Sequence, residues 1–313
     1  MVDGRTRFLA AARGEVGDRP PVGAWIHYGT SFYEPRQSAE VHLRFAEEYD
    51  WDFVKVMDDY RLDVPAGLDE ISEPSQLDAV VPDPAAPLSN LRRQAEVLRL
   101  IREAAPGRAV IDTIFSPLQT LVRALGADVV EYFRNDPGLA HTVIGRVATA
   151  LADYAAGLGD IGVDGVFLAV TGASTDFSSH GISAAQFEDW VAPYDRQVLE
   201  AAKGLVRIIH LHGDDLDVAR VREHPAEVAS WSDLRSGVSV DDVRDGLGLV
   251  PMFGLDEVDS MYATPSWTRQ EVRRARELTD DRLVLAPNCT VHSDVSPMVL
   301  RTFRQAVEEP LRP

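Results

Sequence analysis

Eight short apolar runs recur along the 313 residues, and nearly all are followed by a stretch of helical periodicity. That rhythm limits the fold more than any other feature of the chain. The runs are Val22 to Tyr28, DWDFVKVMDDY (50–60), AVIDTIFSP (109–117), Gly165 to Gly172, VRIIHLHG (206–213), EVASWSD (227–233), LVPMFGLD (249–256) and RLVLAPNC (282–289). Each is short, rich in β-branched residues and stopped by Gly, Pro or Asp, as buried strands are. Helical patterns fill most of the gaps: Ala39 to Tyr49, Asn90 to Ala105, Leu118 to Leu125, Pro137 to Ile161, Ser183 to Ala202, Leu216 to Glu223, Val240 to Leu247, Ser266 to Leu278 and Pro297 to Val307. An amphipathic helix over 3–14 precedes them, and Val64 to Pro87 reads as a long irregular insertion. Eight such units over about 300 residues predict an α/β fold, a (β/α)8 TIM barrel, as one domain over 1–313. A doubly wound open sheet is the rival, but no G-x-G-x-x-G follows the first strand.

In such a barrel every strand's C-terminal end meets at one mouth, where active sites sit. The run VRIIHLHG delivers two histidines there. Side chains at i and i+2 of a strand share a face, so His210 and His212 project together. Cys289, the single cysteine, ends the eighth run. Two imidazoles and one thiolate, with a position left open, form a catalytic zinc set. Taken singly, a buried cysteine is more often a small hydrophobe, and a His pair can be strand-end packing. The shared mouth is what favours metal. His292, three residues beyond Cys289, is a competing ligand.

Other polar residues fall at the predicted strand ends. Asp58, Asp59 and Asp256 are the candidate catalytic acids or orienters of a ligating histidine; Asp233 shares that position. His27, Tyr28 and Ser116, with His180 in the loop after the fourth run, are the candidate substrate-binding residues. Each also has a plainer reading as a solvated strand end, a helix cap or a loop residue.

A net charge of −19 argues against the basic stripe that nucleic acids require and against anionic membrane surfaces. No run of 18 apolar residues and no signal-peptide core occurs, and one cysteine allows no internal disulfide; a soluble, cytoplasmic protein is expected.

Several segments in order resemble the uroporphyrinogen decarboxylase-like superfamily of barrels. They are RFLAAARGEVGDRPPVGAWIHYG, DFVKVMDDY, EVASWSDLRSGVSVDDVRDGLG with its following G-L-D strand, and LAPNCTVHSDVSPMVLRTFRQAVEE. The chain is most similar to the zinc-dependent methylcobalamin:coenzyme M methyltransferase branch, with cobalamin-independent methionine synthase more distant. In that branch the metal is held by an H-x-C pair at the fifth strand and a distant cysteine at the eighth. His210 and Cys289 match, and His212 stands where the first cysteine would be. The resemblance implies one zinc ion and methyl transfer to a metal-activated thiol on a small molecule, from a corrinoid or other activated donor. No corrinoid-binding D-x-H-x-x-G occurs here, so a corrinoid would come in trans, free or on a partner protein. Barrels of this kind are commonly dimers, so a homodimer is among the expected states.

Decarboxylation of a porphyrinogen fits poorly. The decarboxylases open their first strand with an arginine-bearing R-Q-A-G-R-Y segment, and here WIHYGTSFYEP takes its place. Exchanging a thiolate for His212 also makes the site more electropositive, so a bound anion is held more tightly. That keeps a second reading open, a metal-dependent lyase or hydrolase acting on a small carbonyl or carboxylate substrate. A barrel that keeps its metal only as a scaffold is a third.

Overall fold

The computed structural model describes residues 2–311 apart from 65–67, 69–70, 72, 84–85, 87–88 and 175–180. In chain order the elements are α1 (Gly4–Ala11), α2 (Pro35–Tyr49), β1 (Phe53–Val56), α3 (Asn90–Ala104), β2 (Ala109–Phe115), α4 (Pro117–Leu125), α5 (Val129–Asn135), α6 (Pro137–Gly157), β3 (Gly165–Val170), α7 (Ala192–Ala201), β4 (Val206–Leu211), β5 (Val228–Trp231), β6 (Val250–Leu255), α8 (Pro265–Thr279), β7 (Val284–Pro287) and α9 (Pro297–Ala306). Asp3 and Ser89 cap their helices, each accepting the backbone N–H three residues on, from Thr6 and Arg92. Among the described residues no helix is long and apolar enough to cross a membrane.

The strands form one parallel sheet in sequence order, β1 to β7. The second to eighth predicted strands are therefore present, and the first is not. Val22 makes a single parallel bridge to Leu285. Its segment nonetheless hydrogen-bonds to both sides: Leu285 N donates to Pro21 O, Gly23 N to Leu285 O, and Asp52 N to Val22 O. The pairing does not extend into the rest of the run, and Gly23 lies so close to Phe53 that an added Cβ would sit 2.7 Å from its ring. The predicted helix Leu216 to Glu223 is likewise reduced to a 3-10 turn, Val218–Val221. The helix expected over Ser183 to Ala202 contains a π-turn, Phe187–Val191, just before Pro193, whose missing N–H disrupts the ordinary i→i−4 register.

Period-two alternation divides the buried residues into two cores. Phe53, Ile111, Phe167, Ile208, Val228, Met252 and Val284 face the concave side of the sheet, where Phe8 and Ala11 of α1 pack against them. Val54, Val56, Val110, Leu168, Ile209 and Leu285 face the helices. The helix side also holds a fully buried acid, Asp112, which accepts hydrogen bonds from Gln94 Nε2 and Tyr154 Oη, both at 2.8 Å. Burial pushes its pKa up to about 7 in spite of these donors. Because the native value is raised, Asp112 contributes stability below about pH 4 that is lost as pH rises toward 7. Asp112→Asn keeps the shape and removes the titration. Urea melts at pH 5 and pH 8 are expected to show the variant gaining on the wild type at pH 8, on the order of a few kcal/mol. An unchanged difference between the two pH values would refute this role.

Candidate metal centre

β4 and β7 each continue past their last paired residue to present a ligand. His210 lies within β4, and His212 follows one residue after its end; Cys289 is two residues beyond Pro287, the end of β7. The ligand atoms of His210, His212 and Cys289 all lie within 4.8 Å of one another, and Cys289 Sγ is 3.8 Å from His212 Nδ1. The sequence-predicted triad is thus brought together across the mouth. His292 is not part of it and instead pairs with Asp294.

The surroundings suit a metal. His210 is buried, its ring stacked on Phe167 with centroids 5.1 Å apart, and its Nδ1 lies 3.2 Å from Ser230 Oγ. Ser230 is the register partner of His210 on β5, so the sheet itself orients the imidazole through its other nitrogen, as metal-bound histidines require. Burial holds His210 well below the usual imidazole value, with His212 and Lys55 adding to the effect, and burial also lowers His212. Both are therefore neutral and able to ligate. Burial pushes the Cys289 thiol up to about 11, so an ion there displaces a proton on binding.

Two cavities meet at the triad. The larger, about 390 Å³, opens over β1 to β4 and is walled by Trp25, Lys55, Thr113 and Phe167. The smaller, about 270 Å³, lies toward β5 to β7 and is bordered by Arg235, Glu257 and Asn288. His210, His212 and Cys289 line both. Burial, with Asp256 nearby, raises Glu257 to about 7, and its Oε2 has no hydrogen-bond partner.

The other predicted site residues are distributed unevenly. His27 lines the larger cavity, with Nδ1 3.5 Å from Asp59 Oδ1. Burial would raise Asp59, but His27 and the N–H and hydroxyl of Thr30 outweigh it and hold the acid below the usual carboxylate range. Asp58 is turned to Arg123, which donates to its carboxylate and its carbonyl; burial raises it to about 6. Asp256 is clamped by Arg235 and by the N–H groups of Val258 and Asp259. Tyr28 packs edge-on against His42 and Phe45, outside the larger cavity. Ser116 is buried; it donates to Asp195 and accepts from the N–H of Thr171, a cavity residue. His180 lies outside the described residues. Lys55, Ser230 and Glu257 were not expected. Lys55 had a signal, a charge inside the apolar run FVKV.

Residues 54–310 match the sequence profile described as uroporphyrinogen decarboxylase (URO-D). The chain belongs to the uroporphyrinogen decarboxylase family. Among solved structures this family member is similar to a methyltransferase from Methanosarcina mazei, with 16% identity, a TM-score of 0.80 and 98% of each chain covered. It is also similar to a B12-independent methionine synthase from Shewanella sp. W3-18-1, at 13% identity and a TM-score of 0.60, covering 87% of this chain and 85% of that one. At these identities the likeness establishes a shared fold. Among curated proteins no match is found.

Proposed function

We propose that this member of the decarboxylase family is a metal-dependent alkyl transferase, moving a methyl group from a corrinoid or other activated donor to a thiol on a small molecule. The observation that carries the reading is the convergence of His210, His212 and Cys289 within 4.8 Å at the meeting of two cavities. Two proteins with a similar fold, a methyltransferase and a methionine synthase, agree with it. The three side chains would hold one ion, zinc by the softness and number of their donors. Bound there, zinc supplies Lewis-acid activation that lowers the pKa of a coordinated thiol.

The chain's own groups do the rest. Ser230 and Phe167 fix the His210 ring and leave its second nitrogen to serve as the ligand. Trp25, Phe115 and Phe167 keep the larger cavity apolar and exclude water from the transfer. His27, held by Asp59, stands in the wall of the larger cavity beside the substrate space; Asp58 holds Arg123, and Asp256 holds Arg235 at the border of the smaller cavity. The activated donor enters as a free molecule or on a separate protein.

The test is cobalt substitution. Co(II) protein titrated with small thiols is expected to gain a second thiolate-to-metal charge-transfer contribution with saturable affinity. If no thiol perturbs the spectrum while carboxylates or carbonyl compounds do, alkyl transfer is wrong and the lyase or hydrolase chemistry replaces it.

A further inference from the structure

Among 31 cationic side chains the sequence has two lysines, Lys55 and Lys203. Arginine is this chain's usual cation, and most of the arginines are paired with carboxylates or backbone carbonyls. Lys55 is different. It lies on the concave face of the sheet between Phe53 and Met57, is only 3% exposed, and lines the larger cavity. Its Nζ donates to Thr113 Oγ1 at 2.8 Å and to Met57 Sδ at 3.1 Å. The Thr113 hydroxyl is itself committed to Val56 O, so it accepts from the lysine. The rings of Phe167 and Trp25 flank the ammonium at 4.1 and 4.7 Å.

An ammonium has three protons to donate. Two are taken, one of them by a weak sulfur acceptor. No carboxylate lies in the cavity wall among the described residues, although the chain carries 50 acidic residues. Burial depresses the Lys55 pKa to about 7, and Cys289, Asp112, Asp59 and Asp58, which favour its charge, act on it only through space. Keeping a buried ammonium charged without a paired carboxylate is costly, and an anionic ligand entering the cavity on its open side would supply the missing partner.

We propose that Lys55 is the specificity-determining residue of the larger cavity, pairing with the carboxylate of a small organic acid whose far end reaches the triad. The cavity's 390 Å³ limits that acid to a small molecule, and its aromatic and thioether walls suit a hydrocarbon middle. For an acid carrying a thiol, the sulfur would be the group presented to His210, His212 and Cys289; that part rests on the function proposed above. The pairing at Lys55 does not.

Calorimetric titration of the full chain with 3-mercaptopropionate and its amide tests the pairing, in the wild type and in Lys55→Met. Methionine keeps the length and removes the charge. The wild type is expected to bind the acid about tenfold or more tightly than the amide, since charge-assisted hydrogen bonds are the strong ones. Lys55→Met is expected to erase the preference, the acid losing far more affinity than the amide. A preference that survives in the variant, or is absent from the wild type, overturns the proposal; should the variant not fold, the wild-type ratio decides alone. Propionate against propionamide repeats the comparison without sulfur. An acid preference there, with no thiol signal in the cobalt protein, would sink the transferase and leave Lys55 standing. The reverse pattern would sink Lys55 and leave the transferase.

Discussion

Purified Cys289→Ser and His210→Ala proteins are expected to lose nearly all bound metal and all metal-dependent activity while keeping the fold. The effect is large because three protein ligands are few. Removing one leaves two, and a serine hydroxyl does not replace a thiolate for a borderline-soft ion. His210 should be the more severe of the two, since its ring is also fixed by Phe167 and Ser230 and its loss leaves a hole in the inner wall. Elemental analysis after gel filtration, with circular dichroism as a check on folding, reads the result. Full occupancy in both variants would remove these residues as ligands.

The largest loss of stability is expected at Asp52. This buried acid, one residue before β1, accepts from Arg7 and Arg19 and from the N–H of Val22, while its own N–H donates to Val22 O. One side chain thus joins α1, the segment beside β7 and the first strand. Asp52→Ala would leave two buried guanidinium groups with Asp18 and Glu308, of which the first is half-exposed and the second more so. Removing one partner of a buried charge cluster costs about 3–5 kcal/mol. Denaturant melts measure it directly. A change below about 1 kcal/mol, the worth of an exposed pair, would show that the cluster is only a surface feature.

How much of this was legible in the sequence depended on whether the signal was periodic or positional. Seven strands were readable because each packs two faces and alternates, and His210, His212 and Cys289 were readable because they sit at strand ends. The first was over-read: Val22 to Tyr28 has the apolar content of a strand but makes only a single bridge, Val22 to Leu285. Ser230 was invisible for a different reason: it stands behind His210 only through the register of β4 against β5, which no local pattern encodes. Lys55 was visible in kind. A lysine between valines in a buried strand contradicts its apolar surroundings. Asp58 and Asp256 drew notice by position and turned out to be engaged by arginines.

The triad's place between two cavities governs how molecules reach it. An ion held there would be a partition with a face on each side, one apolar and joined to a lysine, the other bordered by Glu257 and Arg235. On the transfer proposed above, donor and thiol would approach from opposite faces and need not take turns in one pocket. With a single opening, the same three ligands would impose a queue.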